Sequence, residues 1–318
     1  MATLSLTTSM IPRKSRTAIM PRAALNQEYK MRVPYELKQG QSRRFHKLPS
    51  GLNMEVIFQE GLKHKSSDER QEESQIPPLV FVHGSFHAAW CWAEHWLPYF
   101  SQNGYDCYAL SLLGQGESDD PAGPVAGTLQ THAGNVADFI QKELKLRPVL
   151  IGHSFGGLIV QYYVANMRSN KIQESGRLHS YLAGAALVCS VPPSAKQYGD
   201  ISSPNLLLHL SYQKLMTESS RMPLFDLRKL NASLPVPSVN NSCAKILVLG
   251  ANDDFIVDME GLNETGRFCG ASPICLEGVA HDMMLDCSWE KGAEALLLWL
   301  SGSDKEVANT EKGRPMAV

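Results

Sequence analysis

The segment Gly152-His153-Ser154-Phe155-Gly156-Gly157 constrains this chain more than any other. It follows the apolar run Arg147-Pro148-Val149-Leu150-Ile151 and opens the helix-competent stretch Leu158 to Ala165. A buried strand, a Gly-x-Ser-x-Gly turn and a helix, in that order, let a serine sit on a sharp, strained turn with its hydroxyl clear of the sheet. The flanking glycines remove Cβ atoms where the turn is tightest. With 24 glycines in the chain, the pentapeptide alone arises by chance on the order of 0.1 to 0.2 times. The flanking strand and helix therefore carry much of its weight, and a base and an acid elsewhere must carry the rest.

The surrounding pattern is that of an α/β sheet. Leu79-Val80-Phe81-Val82, Asp106 to Leu110, Val149 to Ile151, Ala185 to Val188 and Lys245 to Leu249 are short continuous apolar runs, as strands buried on both faces require. They alternate with helical periodicity. Residues 128–145 place Leu129, Ala133, Val136, Ala137, Ile140 and Leu144 at spacings of three and four, and 289–300 turns Trp289, Ala293, Leu296, Leu297 and Leu300 inward. Ahead of them, Arg43 to Leu48 and Leu52 to Phe58 flank Pro49-Ser50-Gly51 as a hairpin. The predicted domain spans 43–302 as a mostly parallel twisted sheet with helices on both faces, after a linker at 28–42 and before a disordered tail at 303–318. No repeat of 20–50 residues appears, which excludes a solenoid.

Between Ser190 and Ala244 the rhythm breaks. This interval holds Pro192, Pro193, Pro204, Pro223, Pro235 and Pro237, and an amphipathic stretch from Leu206 to Met216. An insertion there, about 191–243, is expected to form a short cap over the active site. The other reading makes Leu206 to Met216 an ordinary core helix.

Composition narrows the class. At 43% hydrophobic and 19% charged residues, the chain can bury a sizeable core. A formal net charge of −2, with Lys and Arg dispersed outside the N-terminus, argues against nucleic acid as a partner. No run of ~18 apolar residues predicts a transmembrane segment, although transient contact with membrane lipid remains open; nothing sets an oligomeric state. Seven cysteines lie singly, an odd total without a Cys-x-x-Cys pair. That fits a reducing compartment, and no metal or other cofactor is expected. Residues 1–27 contain no Asp or Glu, carry Arg13, Lys14, Arg16 and Arg22, and are rich in Ser and Thr. Such a composition predicts a transit peptide, for the chloroplast rather than the mitochondrion, against a disordered cytoplasmic tail.

The acid candidates follow the run Ile246 to Leu249, in Gly250-Ala251-Asn252-Asp253-Asp254. A carboxylate past the C-terminal end of a parallel strand lies on the edge where ligands bind, and either aspartate could serve. The base candidate is His281, in Gly278-Val279-Ala280-His281-Asp282, after the strand Pro273 to Leu276. A serine hydroxyl is a weak nucleophile until an imidazole takes its proton, and a carboxylate holds that imidazole in the right tautomer. An oxyanion hole is expected from the Phe155 N–H and from the loop His83-Gly84-Ser85-Phe86-His87, with Ser85 N–H favoured and Phe86 next. Phe86, Trp90, Phe155, Leu206, Leu207 and Met283 are expected to line an apolar substrate pocket.

Taken together, His83-Gly84, Leu113-Gly114-Gln115-Gly116-Glu117-Ser118, Gly152 to Gly157, Gly250-Ala251-Asn252-Asp253 and Ala280-His281 resemble the α/β-hydrolase superfamily. The resemblance implies the α/β-hydrolase fold and selects Asp253 over Asp254 by its place in the Gly-x-x-Asp element. His83 to Trp92 is similar to the oxyanion-loop run of plant methylesterases and hydroxynitrile lyases; Gly84 stands where the lyases carry a threonine. The motif at 111–118 lacks the family's frequent Asp and Arg. Ser154 at the elbow disfavours the epoxide hydrolases and dehalogenases, which attack through a carboxylate. The implied activity is serine-dependent hydrolysis of a small-molecule carboxylic ester, its substrate a hydrophobic lipid, methyl, prenyl or phytyl ester. A non-catalytic ligand-binding receptor of the same fold and a lyase using the same triad are the alternatives.

Overall fold

A computed structural model describes residues 31–62, 76–167, 181–195, 212–237 and 244–302. The transit peptide expected at 1–27, the tail at 303–318, and Leu206 and Leu207 lie outside the described residues. Eight strands form one sheet in the order β1-β2-β4-β3-β5-β6-β7-β8. β1 (Gln41–Lys47), β2 (Asn53–Gln59) and β4 (Cys107–Leu110) are joined antiparallel. β3 (Leu79–Val82), β5 (Val149–His153), β6 (Gly184–Val188), β7 (Lys245–Ala251) and β8 (Ile274–Leu276) continue the sheet in parallel from β4. The predicted hairpin and strands are all present, with β7 running two residues past its apolar run.

Alternate strand residues feed two cores, as the pleat demands. Val80, Val82 and Leu150 face one side, where α3 (Leu129–Glu143), α4 (Phe155–Ala165) and α7 (Met259–Cys269) bury Val136, Ile140, Leu158, Ile159, Tyr163 and Leu262. Leu79, Phe81, Ile151, Leu247 and Leu249 face the other, beneath α1 (Trp90–Ala93), α2 (Trp96–Gln102) and α8 (Trp289–Leu300). There Trp92 lies 5.1 Å from Phe81 and 5.2 Å from Trp96, ring centre to ring centre. Each such fully buried side chain stabilises the fold by roughly 1.5–3 kcal/mol. In α8 the buried aromatic is Trp299, while Trp289, Leu297 and Leu300 are half-buried. Val33 and Tyr35 also pack into the second core, and Val33 N–H donates to the Glu117 carboxylate at 2.7 Å. The stretch read as a linker is thus partly built into the domain.

Strand order places the site. β3 lies between β4 and β5, so the chain crosses to one side of β3 and then returns to the other. At such a switch point the loops leaving neighbouring strands part, and open α/β sheets bind ligands in the resulting crevice at the C-terminal strand ends. The loop after β3 and the turn after β5 flank it here. Between β6 and β7, which pair directly, the described part of the intervening segment holds α5 (Gln213–Ser219) and α6 (Leu227–Ala232). It docks on the loop after β4: Gly116 N–H donates to Ser219 O at 2.8 Å, the Gln115 amide to Met222 O at 2.7 Å, and Ala126 N–H to Pro223 O at 2.8 Å. The Leu113 to Ser118 motif is therefore a platform for this segment.

Candidate active site

Ser154 stands between β5 and α4 with φ 53° and ψ −122°. This is a conformation that a residue with a side chain holds only where its surroundings enforce it. Its amide donates to Val188 O at 3.1 Å, and its carbonyl accepts from Gly157 N–H at 3.0 Å and Val191 N–H at 3.1 Å. A Cβ on Gly156 would collide with the Val82 and His83 carbonyls, and one on Gly152 would come within 2.5 Å of Gly156 O. The turn can close against β3 only with both glycines. A Cβ on Gly84 would lie 2.8 Å from the Ser154 Cβ, so the loop after β3 passes directly beside the serine.

His281 comes to the same place from the loop after β8. Its ring centre is 4.7 Å from that of His153, the residue before the serine. His153 donates from Nε2 to the His281 carbonyl at 3.0 Å. On the far side, His281 Nδ1 donates to Asp254 Oδ2 at 2.8 Å. The other oxygen of Asp254 accepts the amides of Ile256 and Val257, each at 2.8 Å.

The carboxylate that meets His281 is therefore Asp254, a correction to the expected Asp253. β7 extends to Ala251, so Asn252 and Asp253 form the exposed tip of the turn, where the Asp253 carboxylate meets the Asn252 side-chain amide at 3.3 Å. Asp254 is the first residue turned back into the protein. The Cys189 thiol also bonds to the Asp254 carboxylate; burial, and next that charge, push the thiol well above its ordinary range. Cys189 is therefore a neutral donor behind the acid, which sequence reasoning missed because nothing in a lone cysteine signals such a contact.

The loop after β3 is pinned by its histidines. His83 donates from Nδ1 to Gly84 O at 2.7 Å and accepts Leu112 N–H at Nε2 at 2.9 Å; burial pulls it down to about 3, so it is neutral. His87 Nδ1 bonds Ser85 O at 2.8 Å. Phe86 between them has φ 63° and is 52% exposed, which leaves its side chain at the rim.

The other pocket candidates separate. Trp90 is buried and donates from Nε1 to Ser219 Oγ at 2.7 Å, so it anchors α5. Met283 is fully buried between α8 and Trp96, where a Cβ on Gly292 would strike it; it is core, a correction to its expected place in the pocket. Phe155 is buried beside Ser154 with its ring 5.5 Å from Phe225, which in turn meets His132 at 5.1 Å. Phe225, which the sequence did not single out, is buried in the core against Phe155.

Among the described residues, two groups bring three ligand-type atoms within 4.8 Å of one another: His87, His153 and Asp282, and Cys189, Asp254 and His281. The second is the acid and base just described. In the first, His153 Nε2 is spent on the His281 carbonyl. Hydrogen bonding accounts for the second group, while in the first His87 Nε2, His153 Nδ1 and Asp282 Oδ1 are buried without a hydrogen-bond partner.

Residues 79–295 match the model of the alpha/beta hydrolase family, and the chain belongs to that family. It is 38% identical over 117 residues to a non-heme chloroperoxidase of Streptomyces lividans, covering 36% of this chain and 37% of that one. Over 100 residues it is 29% identical to putative methylesterase 12, chloroplastic, of Arabidopsis thaliana, covering 31% and 28%. The matched stretches span about a third or less of these curated relatives. Among solved structures it is similar to the epoxide hydrolase VrEH1 from Vigna radiata (TM-score 0.60, 16% identity, 83% of this chain and 99% of that one). It is likewise similar to the esterase EaEST from Exiguobacterium antarcticum (TM-score 0.58, 18% identity, 82% and 100%).

Proposed function

We propose that this hydrolase cleaves a carboxylic ester through an acyl-enzyme intermediate on Ser154. The observation that carries the proposal is the strained serine at the β5–α4 turn, brought to the same strand edge as a histidine held by a buried carboxylate at 2.8 Å. In the mechanism, Ser154 Oγ attacks the ester carbonyl while His281 Nε2 takes its proton. Asp254 holds Nδ1–H and stabilises the imidazolium. The Ser85 and Phe155 N–H groups receive the oxyanion, each worth on the order of 10²–10³ in rate. His281 then protonates the leaving alcohol, and water, deprotonated by the same histidine, releases the acid.

The segment at about 191–243 acts as the cap, which the docking of its described residues Ser219, Met222 and Pro223 on the loop after β4 supports. The exposed Phe86 on the loop beside Ser154 supports a hydrophobic acyl, methyl, prenyl or phytyl ester. The N-terminal composition and the chloroplastic relative support a chloroplast address. Purified full-length protein given p-nitrophenyl esters of increasing chain length should turn them over, and Ser154→Ala should abolish turnover. Tight ligand binding without turnover would indicate the receptor reading, and product formation without consumption of water the lyase.

A further inference from the structure

Asp282 follows His281 but points away from it, into a pocket of buried histidines. Its two oxygens lie 3.5 Å from His87 Nε2 and 3.7 Å from His153 Nε2. His87 is buried, and its other nitrogen bonds Ser85 O. His87 Nδ1 is thus engaged by a carbonyl, while Nε2 faces the Asp282 carboxylate at ion-pair distance without a hydrogen bond, an arrangement that favours the imidazolium over the neutral ring. The remaining groups around His87 do not compete for the charge. His153, 5.8 Å away ring to ring, is held neutral by burial and next by His281, and Trp90 is an aromatic face 5.8 Å distant. Burial works against charging His87, yet the Asp282 charge outweighs it and raises the group; the same contact lowers Asp282 well below the usual carboxylate range against its own burial.

We propose, on the strength of the serine-hydrolase reading above, that Asp282 and His87 form a positioning pair that ties the oxyanion loop to the His281 loop. His87 closes a ring through Ser85 O across Phe86, whose φ of 63° is strained for a residue with a side chain. Holding that closure fixes the Ser85–Phe86 peptide and so limits how far the adjoining Gly84–Ser85 peptide, which carries the Ser85 N–H, can turn. Asp282 anchors His87 from the residue next to the base, so the oxyanion donor and the base keep one register. Neither residue touches substrate.

The test is kinetic and spectroscopic. Asp282→Asn and His87→Gln should each lower kcat about 10- to 100-fold with KM within about two-fold, as expected of an interaction used in the transition state. The double variant should be no worse than the weaker single, because the two act as one unit. Unchanged kcat, a loss confined to KM, or losses that multiply would overturn the pair. Should the variants fold poorly, ¹⁵N-histidine NMR of the wild type at neutral pH decides: His87 is expected with both nitrogens protonated, and a neutral His87 overturns the pair. Wild type that neither turns over esters nor reacts with a fluorophosphonate would instead overturn the hydrolase reading, and with it any role of the pair in rate.

Discussion

Asp253 and Asp254 carry the same carboxylate one residue apart, and the turn alone separates them. Asp254 accepts from the Ile256 and Val257 amides, His281 and the Cys189 thiol in the interior, while Asp253 is exposed. Asp254→Asn should therefore lower kcat on a p-nitrophenyl ester by about 10⁴, the cost of presenting the wrong histidine tautomer. Asp253→Asn should leave kcat within about two-fold, and the reverse order would return the role to Asp253. Ser154 and His281 were legible in the sequence because a glycine turn after an apolar run, and a histidine after the last strand, are local patterns. The acid was not, because its identity depends on β7 running to Ala251 although its apolar run stops at Leu249. The readable hint was that Asp254 precedes Phe255, Ile256 and Val257, whose amides a turned-back carboxylate can collect. Met283 and Trp90 misled for a different reason: apolarity marks burial without saying whether the burial is core or pocket.

Elements carry the strain that these residues need. The β5–α4 turn works only if α4 passes close over β3, so Gly156→Ala should drive a Cβ into the Val82 and His83 carbonyls. A loss of several degrees in Tm together with loss of turnover is expected; a stable, active variant would show that the turn is looser than described. By contrast, the exposed Thr128 accepts Thr131 N–H at 3.1 Å to cap α3. Thr128→Ala should cost about 1 kcal/mol in chemical denaturation and leave kcat unchanged. The strands were readable because burial on both faces leaves unbroken apolar runs. The segment between β6 and β7 reads as a short cap from its break in rhythm and its amphipathic stretch, while the docking of its described residues on the loop after β4 has no local pattern to announce it.

At the scale of the whole molecule, buried neutral histidines set how the fold responds to acid. In the unfolded chain these rings titrate near 6.5, whereas burial pulls His83 down to about 3 and His132 to about 4. Between those values the unfolded state binds more protons, so their contribution is complete above about pH 6.5 and falls away as pH drops toward 4 and then 3. Urea midpoints should therefore decline steadily over that window, and His132→Gln should flatten part of the decline; a flat wild-type profile would show that these rings are not held neutral. The central claim, a nucleophilic serine on this sheet edge, is tested most directly by treating the full-length protein with a fluorophosphonate and locating the adduct by peptide mass spectrometry. A single adduct on Ser154, slowed in Asp254→Asn and untouched in Asp253→Asn, is expected. A folded protein that takes up no label, or carries it on another residue, would contradict the assignment of Ser154 as the nucleophile.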